Sequence, residues 1–395
     1  MKLLSIEPTP SPNSMKINLD ETLPNGLQKE YTPQNVSEAS VYIQRLLSIP
    51  GVKSVFRAAD FIALDRFPQA DWQEILRQVK EQFGQTSVAG DVLATGPTDS
   101  QDTASFGEAQ VYLQMFRTIP LQVKVTANGQ EARTALPDRF AKTAMKAGTI
   151  SPNLIKERQW VEQGVRYGDL KEIGEVVAAE VDASYDEQRL AALLEEILLE
   201  AAGAGAESVA THSAVQADSA KPKSPLPPPE VLLEADWRKR YAALEQVNPE
   251  EHGEALLPFL SRALQDEKSS IRRLAVMYLG MIGGDAVLPL LLSALKDASV
   301  SVRRTTGDTL SDLGDPRAIP AMIEALVDPN KLVRWRAARF LFEQGDGSSL
   351  PGLHAAENDP EFEVRLQIKM AIERIERGEA ASGSVWQQMT NRERS

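Results

Sequence analysis

Apolar residues recur with two different periods along this chain, and the change of period divides it. Toward the N-terminus the spacing is short. Leu3, Leu4 and Ile6 predict a first strand, and Met15, Ile17 and Leu19 alternate into a second across the proline-stiffened run Glu7-Pro8-Thr9-Pro10-Ser11-Pro12-Asn13. Ser37 is placed to cap a helix through Val41, Ile43, Leu46 and Leu47. Val52, Val55 and Phe56 then pair across Ala58-Ala59-Asp60 with Phe61, Ile62 and Leu64, and Trp72, Ile75, Leu76, Val79 and Phe83 mark a second helix. Further on, Val111, Leu113, Met115 and Phe116 predict a strand. Asn128-Gly129, inside the run Leu121 to Leu136, predicts a tight hairpin because a type I′ turn needs two residues tolerant of positive φ. Phe140, Ala144 and Met145 share a helical face after Pro137. Trp160, Val161, Val165 and Tyr167 continue a mixed apolar pattern, and Asp186 to Ala202 is an amphipathic helix through Leu190, Leu193, Leu194, Ile197 and Leu198.

The last third obeys a 31-residue period kept at several positions at once. Prolines stand at Pro258, Pro289, Pro320 and Pro351, aspartates at Asp266, Asp297, Asp328 and Asp359, and arginines at Arg272, Arg303, Arg334 and Arg365. Each unit reads as two short helices. Proline sits early in the first, where a missing amide donor costs little, and Gly283, Gly314 and Gly345 close the second in a left-handed conformation. Such units bury their core between neighbours and leave long surfaces for binding. The Asp and Arg rows are read as an internal ladder rather than a charged groove, each Asp capping its second helix and meeting an Arg of its own or the adjoining unit. Trp237 to Leu244 resembles a second helix with Tyr241 in place of the ladder Arg, an atypical cap. Helical spacing turns Arg273, Arg304 and Trp335, with Arg339 and Phe342, away from the buried stripe. They form either a partner-binding face or a packing surface for the rest of the chain.

These repeats resemble short HEAT repeats. Glu7, Pro8, Thr9, Pro10, Asn13 and Lys16, with Ile49 to Phe56 and Asp60-Phe61-Ile62, are similar to the N-terminal domain of Nfu/NifU-type scaffold proteins. In that family cluster assembly belongs to a separate Cys-x-x-Cys module, and this chain has no cysteine. The resemblance therefore implies at most an accessory or docking role. An Nfu-like start, Gln110 to Lys124 followed by Arg158 to Gly168, and then HEAT repeats resembles the bacterial conserved virulence factor C family over nearly the whole chain. That implies a link to virulence-factor expression and supplies no catalytic residues.

Composition narrows the chemistry. The chain has 395 residues, 42% hydrophobic and 25% charged, with a net charge of −13, so broad attraction to nucleic acid or anionic lipid is not expected. Zero cysteines remove disulfides, thiolate nucleophiles and thiolate metal sites. His212, His252 and His354 fall in no metal-ligand spacing, and neither a phosphate-binding glycine loop nor a Gly-x-Ser-x-Gly elbow occurs. Arg133, Arg139, Lys142 and Lys146 are read as a solvated helix surface. The expected organisation is an α+β domain over 1–84, a linker over 85–107, a middle α+β domain over 108–204, a Pro/Ala-rich tether over 205–230, a helical solenoid over 231–378 and a polar tail over 379–395. The tether is expected to let the two halves move relative to each other. The expected function is a cytoplasmic, non-enzymatic adaptor with no cofactor or metal that binds a protein partner. The alternatives are an accessory iron–sulfur factor and an enzyme hidden in the middle domain.

Overall fold

The computed structural model describes residues 2–9, 11–24, 27–84, 108–150, 156–203 and 226–378. The predicted linker 85–107, residues 205–225 of the tether, the tail 379–395, Pro10 and His212 lie outside the described residues. Two compact units emerge, Met1–Phe106 with Leu291–Ser395 and Gly107–Leu290. The helical region thus contributes to both, and the middle domain shares a unit with the first repeat.

In the first unit, β1 (Leu3–Pro8), β2 (Ser14–Leu19), β3 (Gln28–Tyr31), β4 (Val52–Ala58) and β5 (Phe61–Arg66) form an antiparallel sheet in the order β1-β2-β5-β4-β3. Strict alternation buries Met15, Ile17 and Leu19 on β2 and Ile62, Leu64 and Arg66 on β5. Helices α1 (Val41–Leu47) and α2 (Trp72–Gln82) add Ile43, Leu46, Trp72, Ile75, Leu76 and Val79 to that core. Ser40, not Ser37, occupies the N-cap of α1, because Ser37 belongs to a short 3-10 turn.

In the second unit, β6 (Glu108–Phe116), β7 (Ile119–Ala127), β8 (Gln130–Ala135) and β9 (Arg158–Tyr167) pair antiparallel in the order β8-β7-β6-β9, with α3 (Asp138–Gly148) between β8 and β9 in sequence. Asn128 and Gly129 take φ of 53° and 76°, the double positive φ that the hairpin requires. Helix α4 (Leu170–Ser184) crosses β7 and β8, and a Cβ at its buried Gly174 would collide with Thr134 Oγ1. Beyond α5 (Glu187–Gly203) come α6 (Trp237–Glu245), α7 (Pro249–His252), α8 (Leu257–Ala263) and α9 (Ser269–Ile282), and α6 packs on both α4 and α9.

The chain returns to the first unit within α10 (Leu288–Ala294). It continues as α11 (Val300–Leu313), α12 (Ile319–Ala325), α13 (Lys331–Gln344), α14 (Leu350–Ala356) and α15 (Phe362–Glu376), so residues 230–376 are all-helical in the manner of HEAT repeats. Asp328 Oδ1 accepts from Asn330 N–H at 2.8 Å, and Asp359 Oδ1 accepts from Glu361 N–H at 2.8 Å. Each aspartate therefore tightens the turn onto the N-cap residue, Asn330 or Glu361, rather than capping the helix itself as expected. Arg303 donates to its own repeat's Asp297 carbonyl at 2.8 Å and forks onto Asp328 of the next at 2.7 and 3.0 Å; Arg334 repeats this on the Asp328 carbonyl and Asp359. Arg240 makes the same fork onto Asp266 at 2.7 and 3.0 Å. The atypical first unit therefore keeps its ladder guanidinium one residue before Tyr241, which is buried. Gly283 and Gly314 have φ of 63° and 60°, but Gly345 has φ of −62° and closes α13 in extended backbone. Among the described residues no helix is long and apolar enough to cross a membrane.

Candidate functional site

Positions one period apart on the second helices share one angular place in the repeat. Arg273, Arg304, Trp335 and Leu366 form such a row, and Arg339 leads to Met370. Helical spacing turns them away from their own repeat's core, yet they are not left open to solvent. Trp335 is 2% exposed and Arg339 5%, while Arg304 and Phe342 are half-buried. Arg339 spends its charge within α13, on Glu343 at 2.9 Å, and lies 6.0 Å over the Trp335 ring. The expected outward aromatic–guanidinium face is therefore corrected at Trp335 and Arg339.

At the last repeat the row meets the N-terminal domain. Leu366 belongs to the core of that domain, and Phe362 and Met370 pack against it. The polar component of this seam centres on Arg66, 3% exposed on the core side of β5. Its Nη2 pairs with Glu363 of α15 at 2.6 Å, Nη1 donates to the Ala70 carbonyl at 2.7 Å, and Nε donates to Asn13 Oδ1 at 3.3 Å. Trp72 lies 5.1 Å beneath the guanidinium and donates its indole N–H to the Pro12 carbonyl at 2.9 Å. The proline-rich run thus acts as a rigid bracket. Thr9 Oγ1 donates to the Ser14 carbonyl at 3.0 Å, Glu7 pairs with Lys16 at 3.2 Å, and buried Asn13 presents its amide to Arg66.

At the first repeat the same row position is Arg273, and its neighbour is Glu180 of α4. Glu180 is 5% exposed and takes two guanidinium groups, Arg166 of β9 at 2.9 Å and Arg273 at 3.5 Å. Burial pushes the Arg273 guanidinium below its usual range, Glu180 opposing and Arg166 adding to that effect. Burial, then the Glu180 charge, holds the Tyr241 phenol above its usual range. Beside this cluster lies a cleft of about 470 Å³. Val111, Leu113, Val161, Val177 and Val181 supply its apolar surface, and Arg166, Glu180, Tyr241 and Glu245 its polar one. Glu245 pairs with Arg189 at 3.1 Å. In the predicted basic patch, Arg139 pairs with Asp182 at 2.6 Å and donates to the Tyr185 carbonyl, so it is a clamp between elements rather than a solvated charge.

Sequence reasoning missed Arg66, Glu180 and Arg240. Two of them carry a readable signal. Arg66 falls on the buried parity of β5, and Glu180 continues the Ile173, Val177 stripe of α4, so each is a charge at an apolar position.

Comparison with known proteins follows the same division of the chain. Residues 4–90 match the scaffold protein Nfu/NifU N-terminal family, residues 114–194 a virulence factor family, and residues 230–308 and 288–373 HEAT repeats. Over 390 residues the chain is 54% identical to the uncharacterized protein YpgR of Bacillus subtilis (strain 168), covering 99% of this chain and 98% of the relative. Over 392 residues it is 47% identical to conserved virulence factor C of Staphylococcus aureus (strain MRSA252), covering 99% and 100%. The crystal structure of protein SAV1430 from Staphylococcus aureus aligns at 36% identity over 21% of this chain and 99% of that one, with a TM-score of 0.20. With nearly half its residues shared from end to end with such a relative, the chain belongs to the conserved virulence factor C family.

Proposed function

We propose that the chain is a non-enzymatic cytoplasmic adaptor whose helical-repeat scaffold presents two appended modules to a protein partner and so influences virulence-factor expression. One observation carries the reading: a single repeat position, met as Arg273 and again as Leu366, seats a different module of the same chain. A repeat array used this way organises other domains, as HEAT surfaces commonly do. Arg304 and Phe342, half-buried, remain the candidates for partner contact from the predicted set. A net charge of −13 argues against nucleic acid or a membrane surface as the partner.

A second reading, an accessory factor in iron–sulfur cluster assembly or delivery, is favoured by the match of residues 4–90 to Nfu/NifU N-terminal domains. Lacking cysteine, the chain would serve a client that carries the cluster. Affinity capture of the tagged full-length chain, performed anaerobically with mass spectrometry, separates the two. A stable complex with a regulator or enzyme is the expected result, and iron–sulfur proteins among the captured partners move the reading to the second. Substrate turnover by the purified chain alone overturns both.

A further inference from the structure

The cleft beside Glu180 has a composition that the adaptor reading does not use. Its apolar part comes from the β6 and β9 side chains Val111, Leu113 and Val161 and from Val177 and Val181 of α4. At about 470 Å³ it falls in the range of sites that take small organic molecules. Its other lining charges are paired, Glu245 with Arg189 and Arg117 with Glu157, but the Glu180 cluster is unbalanced, because that one carboxylate faces two guanidinium groups. Arg166 sits on the cleft side with its side chain 25% exposed, whereas Arg273 is 12% exposed at the back. Two cations sharing one anion in a partly dry setting leave a positive charge that water screens poorly. A ligand with a negative head would complete the set, and its apolar body would cover exposed Val161 and half-buried Val181.

We propose that this cleft binds a small amphipathic anion, with its head on Arg166 and its apolar tail along Val161 and Val181, above the buried Leu113 and Val177. The head can come from a carboxylate or a phosphate monoester, since both accept the planar fork of an arginine. The site is lined by β6, β9, α4 and α6, and α6 packs on α4, so the ligand would strengthen the join between the middle domain and the first repeat. This inference goes beyond the adaptor reading and does not depend on it.

The test is calorimetric titration of the full-length chain with octanoate, octyl phosphate and 1-octanol. Either anion is expected to bind one per chain and at least about tenfold more tightly than the alcohol, the usual size of one charge-assisted hydrogen bond. The tighter of the two anions identifies the head group. Arg166→Gln should weaken the anion by about tenfold and leave 1-octanol unchanged. Val161 is 44% exposed, so Val161→Trp fills the cleft without disturbing the core and should abolish binding of all three. Equal affinity for octanoate and octanol, unchanged binding in Val161→Trp, or no heat from either anion each overturns the proposal.

Discussion

Two modules are seated at the same repeat position by opposite chemistry. Where α15 meets the N-terminal domain, the row residue is Leu366 and the join is apolar around the ion pair Arg66–Glu363, which is short and surrounded by further acceptors. Where α9 meets the middle domain, the row residue is Arg273 and the join is polar, with a carboxylate stretched between two guanidinium groups. A repeat fixes where a side chain points, and substitution at that place decides what it holds. The first seam resembles a continuous core. The second is a charged contact left incomplete beside a cleft, the arrangement expected where a partner or ligand takes part.

If the first seam is a true core, removing its charge should be costly. Arg66→Met keeps the aliphatic contact and the position over Trp72 but leaves Glu363, the Ala70 carbonyl and the Asn13 amide without their donor. Stranding the partner of a buried ion pair costs about 3–5 kcal/mol. Hydrogen exchange of the β2 and β5 amides should show their opening free energy falling by about that amount. A loss under about 1 kcal/mol would mean that the pair is solvated and the seam is held by Leu366 and its neighbours alone.

Between these extremes stands α13, where the row carries Trp335 and the next position, Arg339, is paired within its own helix to Glu343. Burial pushes the Glu343 carboxyl above its usual range, with Arg339 opposing and Asp312 adding to the rise; Asp312 is itself raised by burial and then by Asp308. A carboxyl raised in the fold stabilises it fully below the unfolded value, 4.5 for Glu343, and that contribution is lost as pH climbs through the folded value. Glu343→Gln removes this titration. Between pH 4.5 and about pH 7.5 the urea midpoint of the variant should therefore fall less, or rise more, than that of the parent. Parallel pH profiles would show that the Arg339 pairing compensates for burial.

What the sequence made legible follows from how much of each cause is local. The helical repeats were readable because proline, aspartate and arginine recur where each does the same job, and Asn128-Gly129 was readable because its backbone admits few alternatives. β3, Gln28–Tyr31, was not readable: three of its four residues are exposed, and pairing with β4 alone makes it a strand. α4 escaped because Gly174 and Glu180 interrupt its apolar stripe, the first for close approach to Thr134 and the second to receive Arg166 and Arg273. Arg240 is hidden in the sequence because one period back from Arg272 lies Tyr241. The two readings open at Trp335, partner face or packing surface, are separated only by the fold, which buries it. Helical spacing tells which way a side chain points relative to its own repeat, and it is silent on whether another part of the fold lies there.

The smallest expected effect is the most discriminating. Arg273→Leu places at the first repeat the residue type that Leu366 supplies at the last. In the parent, Arg273 contacts Glu180 only at 3.5 Å, and burial weighs against its charge. Removing it leaves Glu180 paired with Arg166 at 2.9 Å and abolishes the repulsion between two neighbouring guanidinium groups. Replacing a buried, poorly compensated charge with an apolar side chain is often neutral, so the urea midpoint should move by the equivalent of no more than about 1 kcal/mol, in either direction. Arg66→Met would by then have cost several times as much, although both substitutions remove a buried arginine from a seam. A loss at Arg273 as large as that at Arg66 would mean that its long contacts understate a tightly organised pair. The two seams would then be equivalent in energy, and the uncompensated charge assigned to the cleft would not exist.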